Sequence, residues 1–256
     1  MFFQKKLKKF TPLCNLFDFG VVLGANKFKM GLKIFCVLIL GIFACNKVNQ
    51  WKQPTEVCFH IELSEDKAIN NQLAFHTGYL VMQSFNFDGK RAEGADVYFT
   101  KQYKNTLNAP IGEDFIDELT FDIPQGIYTS IDVEVFSKNN QVPNLVINGT
   151  YKDEQGASHA VRFEFTETVT FNIKGEYAVG NNQSIDLVDN SKAHAAIMMN
   201  PSKWFDFLSS LDHASSVDID GQKTILISQT HNADIYQHVI ARLSQEKQKA
   251  VFVKQN

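Results

Sequence analysis

Strict two-residue alternation of apolar and polar side chains, repeated along most of the chain, limits what this sequence can fold into. Leu119, Phe121 and Ile123 alternate with Thr120 and Asp122, and Ile131, Val133 and Val135 alternate with Asp132 and Glu134. Val161, Phe163 and Phe165 follow the same rule, as do Val169, Phe171 and Ile173. Successive strand side chains point to opposite faces, so the pattern builds sheets with one buried and one wet face, the mark of antiparallel pairing. Turn residues punctuate it. Asp88-Gly89 and residues 153–156 (DEQG) predict hairpins, and Pro124-Gln125-Gly126 predicts a type I turn. These spacings predict a mainly β fold, an antiparallel β-sandwich, formed as a single domain over residues 56–256.

The period changes after residue 199. Asn200-Pro201 supplies a capping residue followed by Pro at the first helical position, and predicts a helix with Trp204, Phe205, Leu208 and Leu211 on one face. A second helix starts near Asn232, with Ile235, Tyr236, Val239, Ile240 and Leu243 on its apolar side. Residues 223–228 (KTILIS) and 250–253 (AVFV) read as strands. Two short helices near the C-terminus therefore close one end of the sandwich.

The first 55 residues obey none of these periods. Residues 30–33 (MGLK) precede the apolar run 34–44 (IFCVLILGIFA), and Cys45 is followed at once by Asn46-Lys47. A short positive region, an apolar stretch and a small residue before the cut describe a secretory signal, and the run is too short for a bilayer, which needs about 20 apolar residues. Ile42-Phe43-Ala44-Cys45 resembles the lipobox of bacterial lipoproteins, in which an aliphatic and a small residue precede a lipidated cysteine. Phe43 departs from the commonest pattern. The resemblance implies a signal peptide over residues 30–44, lipidation of Cys45, and anchoring to the cell envelope, expected at the periplasmic face of the outer membrane. Residues 45–55, polar and aperiodic, read as a tether. Residues 1–29 read as translation from an upstream start or as an extended positive region.

Cleavage before Cys45 removes seven lysines and one aspartate from totals of 25 basic and 28 acidic residues, leaving a formal charge of −9. An acidic body argues against nucleic acid and against an anionic membrane surface as electrostatic partners. Membrane attachment then depends on lipid. Of the remaining thiols only Cys58 follows Cys45, in the apolar context Val57-Cys58-Phe59, and it reads as a small buried hydrophobe.

Several local signatures of catalysis are missing: the sequence holds no G-x-S-x-G, H-E-x-x-H or phosphate-cradling G-x-x-x-x-G-K-[ST]. A site assembled from distant residues leaves no such trace, so whether the chain is an enzyme stays open, with a non-enzyme favoured. The seven histidines, His60, His76, His159, His194, His213, His231 and His238, show no metal-ligand spacing. His231 and His238 stand about 10 Å apart if both are helical, too far to share an ion without a third group. Residues 216–221 (SVDIDG) have part of a calcium-loop pattern, but Ile227 stands where a bidentate Glu is needed, so a turn is expected. No cofactor or metal is expected. Trp51, Tyr79, Tyr98, Tyr103, Tyr128, Tyr151 and Tyr177 could stack on sugar rings, but lack the local clustering of a platform and read as cross-strand packing.

Residues 75–80 (FHTGYL), 121–129 (FDIPQGIYT) and 149–151 (GTY) running into 161–165 (VRFEF) resemble segments of uncharacterised β-rich envelope lipoproteins of Gram-negative bacteria. The resemblance implies a fold and a location, and brings no catalytic residue with it. The expectation is a lipid-anchored, non-enzymatic binding or structural module with a protein or glycan partner. The alternatives are an envelope glycan hydrolase and a periplasmic metal-binding protein.

Overall fold

One strand, β2 (Leu73–Arg91), organises the fold, because its 19 residues are long enough to serve two groups of neighbours. The computed structural model describes residues 54–112, 116–138, 142–177, 184–187 and 192–254. Cys45, the signal-like segment and Trp51 lie outside them. Of the described residues 61% are strand and 10% helical. Besides β2, the strands are β1 (Pro54–Leu63), β3 (Val97–Ile111), β4 (Thr120–Pro124), β5 (Gly126–Ser137), β6 (Leu145–Lys152), β7 (Ser158–Phe165), β8 (Val169–Tyr177), β9 (Ile185–Leu187), β10 (Ala193–Met199), β11 (Ser216–Ile219), β12 (Gln222–Ile227) and β13 (Gln248–Lys254). Two helices, α1 (Pro201–Trp204) and α2 (Ala233–Leu243), interrupt the last strands.

Along one edge β2 pairs with β3. Along the other, its first half pairs with β6 and its second half with β5. The second half belongs to a hydrogen-bonded circuit that returns to its start: β2, β3, β1, β10, β13, β8, β5 and β2 again. The weakest link is β1 to β3, a single pair between Ile61 and Ile111. The first half continues outward through β6, β7, β12 and β11.

The fold is thus mainly β with two helices, as the alternation required, but the sheet is mixed and not purely antiparallel. Hairpin neighbours such as β6 and β7 run antiparallel, while β1 with β10, β12 with β7 and β13 with β8 run parallel. The parallel partners are far apart in sequence, as the crossover between parallel strands demands. Local alternation carries no information about them.

Ile131, Val133 and Val135 are buried and Asp132 and Glu134 exposed, as the period of two predicts. Phe59, Phe85, Phe87, Phe99, Phe121, Tyr128 and Phe252 form a chain of ring contacts with centroids 4.8 to 6.4 Å apart, mostly inside the circuit. The helices cover the other half of β2, where Phe163 meets Trp204, Phe205 and Tyr236 at 5.9 to 6.3 Å.

Three local expectations need correction. Asp88-Gly89 makes no turn. It lies within β2, and the chain reverses after Arg91 instead. The first helix spans only Pro201–Trp204, and Asn200 at its N-cap position makes no side-chain capping bond; its amide donates to Asp66 Oδ2 at 2.7 Å instead. The first strand also starts at Pro54, inside the segment read as tether. The turn at residues 153–156 does join β6 to β7, with Gly156 at φ +83°, where a Cβ would be strained.

Candidate functional site

Beyond Ile111 the third strand ends while its neighbours continue, and this leaves a cleft. β1 forms one wall through His60, Glu62 and Leu63, and β2 forms the other through Ala74, Phe75 and His76. Pro110 and Gly112 close the floor, Ile116 adds to the lining, and the loop after β1 contributes Ser64, Glu65 and Lys67 to the rim. The volume is about 1060 Å³, the size of a small-molecule or short-peptide site.

The floor is tightly fixed. The Gly112 N–H donates to the Ile61 carbonyl at 2.9 Å, and a Cβ on Gly112 would fall 2.8 Å from the His76 carbonyl oxygen. On the wall, His60 Nε2 lies 2.6 Å from Glu62 Oε1, since residues two apart on a strand share a face. His76 is exposed at the mouth. It sits where the β2–β6 register shifts between Phe75 and Thr77.

The rim loop is pinned from below. Ser64 N–H donates to the Met199 carbonyl at 2.8 Å, the Ser202 hydroxyl donates to the Asp66 carbonyl, and Asn200 holds the Asp66 carboxylate. Hydrogen bonding from Ser64, then from Asn200, keeps the Asp66 carboxyl below its ordinary range. The loop closes through a reciprocal pair of backbone bonds between Ala68 and Leu73, with Ile69, Asn70 and Asn71 all left-handed at φ +50°, +53° and +68°. For buried, β-branched Ile69 that conformation is costly, and such strain clusters at ligand clamps and active sites.

The remaining histidines scatter. His159 Nε2 lies 2.8 Å from Asp153 Oδ2 on the β6–β7 hairpin, and this contact holds the Asp153 carboxyl below its ordinary range. His194 pairs in register with Cys58, His213 is exposed in a loop, and His238 packs on Phe207 at 5.2 Å. His231 precedes α2, so it shares no helical face with His238. Among the described residues no group of three or more His, Cys, Asp or Glu could hold a metal ion.

Residues 216–221 are a hairpin, in which the Gly221 N–H donates to Asp218 Oδ1 at 2.8 Å. Cys58 is buried, its Sγ 3.9 Å from Glu56 Oε1. Tyr128 and Tyr151 are buried, and of the described tyrosines only Tyr98 is widely exposed, at 69%. The cleft itself was not legible in the sequence, because His60 and His76 stand on different strands and meet only through the end of β3. The one local signal was the apolar-to-polar break at residues 64–67 (SEDK).

Among the described residues no helix is long and apolar enough to cross a membrane. No protein-family model, curated protein or solved structure matches the chain.

Proposed function

We propose that this chain is a lipid-anchored cell-envelope protein, a non-enzymatic β-sandwich module that binds its ligand in the cleft between β1 and β2. The observation that carries the anchoring is the Ile42-Phe43-Ala44-Cys45 junction, an apolar run broken at a cysteine and followed by a polar stretch. The strand content beginning at Pro54 supports it, since a folded β domain then starts nine residues after the acylated position. The cleft suits binding: it offers mixed charge, from Glu62, Glu65 and Lys67, and a paired His60.

Replacing Cys45 by Ser tests the reading. The wild-type chain is expected in the membrane fraction carrying acyl mass, and Cys45→Ser in the soluble fraction without it. One acyl chain gives marginal attachment and several give stable attachment, so the two fractions should separate cleanly. An unchanged membrane fraction for Cys45→Ser refutes the proposal.

A further inference from the structure

Backbone direction shows what the cleft lacks. The Ile61 carbonyl accepts from the Gly112 N–H, so Ile61 turns its peptide groups toward β3. The Ser64 N–H donates the other way, to the Met199 carbonyl on the β10 side. Successive residues of a strand direct their peptide groups to opposite edges. Leu63, like Ile61, therefore directs its N–H and C=O into the cleft.

The opposite wall matches it. Leu73 exchanges both backbone bonds with Ala68, on the edge away from β6, while the Ala74 carbonyl faces β6, close against Gly149. Phe75, two residues beyond Leu73, turns its N–H and C=O toward the cleft by the same alternation. Its ring packs inward, against Phe205 at 5.1 Å, so what Phe75 gives the cleft is its peptide edge. Among the described residues, neither Leu63 nor Phe75 has a backbone partner on the cleft side.

The space between these two edges is one strand wide. At Ile111, β3 pairs with Ile61 on one side and Gly78 on the other, so β1 and β2 stand two strand spacings apart, about 9.6 Å. There β3 ends, and Gly112, at φ +77°, turns the chain out of its line. Ala68 resumes that line at Leu73. The stretch of β2 from Leu73 to Gly78 leaves a gap of roughly 13 to 16 Å, room for about three residues of extended chain.

We infer, building on the reading of this cleft as the binding site, that its ligand is an extended polypeptide segment inserted between β1 and β2 as the missing length of β3. Such a segment carries N–H and C=O groups toward both edges at the strand repeat, so it satisfies both walls at once. Side chains set the sequence it accepts. Leu63, Phe75 and Ile116 make the inward side apolar, whereas Glu62 stands at the outward mouth and Glu65 at the rim. Two carboxylates against Lys67 favour a segment with apolar side chains inward and basic ones outward.

The test uses the full chain in detergent and a fluorescein-labelled, amidated pentapeptide, Lys-Val-Lys-Val-Lys, which offers the pattern in either register. A twin carries N-methyl groups on its three inner peptide bonds, which deletes backbone donors and keeps side chains and charge. Anisotropy should give the plain peptide a dissociation constant below about 1 mM, and the methylated twin one at least about tenfold weaker. A benzophenone on the plain peptide should label β1 or β2 beside the cleft. Glu62→Lys, an exposed change, should weaken the plain peptide about threefold or more. Equal affinity for both peptides with labels in the cleft overturns strand insertion and leaves the cleft as a site. Labels elsewhere overturn both. Absence of binding by the plain peptide at about 1 mM overturns the insertion, while anchoring stands or falls on Cys45→Ser. Unchanged affinity in Glu62→Lys overturns the basic preference.

Discussion

Gly89 lies against the ring of Tyr128, so close that a Cβ on Gly89 would fall 2.6 Å from Tyr128 Cε1 and 2.7 Å from Phe87 Cε1. The glycine serves this contact and not a turn. Tyr128 and Phe87 are both fully buried, so neither ring can move aside without disturbing the circuit of strands. Gly89→Ala is expected to destabilise the fold by about 1 to 3 kcal/mol, the usual cost of overpacking. A urea melt with an unchanged midpoint would show that the rings have room to shift.

The Tyr128 hydroxyl donates to the Pro124 carbonyl at 2.5 Å and so ties the corner between β4 and β5. Tyr128→Phe keeps the ring and deletes the bond. The expected loss is about 0.5 to 1.5 kcal/mol, smaller than for Gly89→Ala because packing is preserved. The order of the two variants in chemical denaturation is the check.

Burial pushes the hydroxyls of Tyr103, Tyr128 and Tyr236 up to about 12, with nearby Glu118 adding to the effect at Tyr103 and Glu167 at Tyr236. A tyrosine whose folded pKa stands above its unfolded value of about 10 contributes its full stability below that value and loses it as pH rises through the folded pKa. The domain should therefore keep its stability to about pH 10 and lose it steeply between 10 and 12. Phenolate absorbance should show a late class of three tyrosines, reduced to two in Tyr128→Phe. Titration of every tyrosine near 10 in the folded protein would contradict the burial seen here.

Leu243 is buried at the end of α2, whereas Gln237 faces solvent. Leu243→Ala should cost about 2 to 5 kcal/mol and Gln237→Ala almost nothing. Ile240, on the edge of the apolar stripe, is only half-buried, so Ile240→Ala should fall between them. Equal, small effects at Leu243 and Gln237 would mean that the helix does not pack on Phe163 and Trp204.

Adjacent residues alone determined much of the fold. The alternation at residues 131–135 and 161–165, the Gly156 turn and the apolar stripe of α2 each follow from the period of side-chain directions or from φ restrictions, which need no partner to operate. Local rules failed where a distant group competed. The Asp88-Gly89 pair has turn chemistry, yet β3 and β5 pair with it on both sides and Tyr128 fills the space of the missing Cβ. Asn200 has capping chemistry, yet Asp66 takes its amide. Tertiary structure alone decided the parallel pairings, the closed circuit and the cleft, because each depends on groups carried by separate strands, more than a hundred residues apart in the case of β1 and β10. Loop closure over such distances costs entropy that only the assembled core offsets, so no short window of sequence records it.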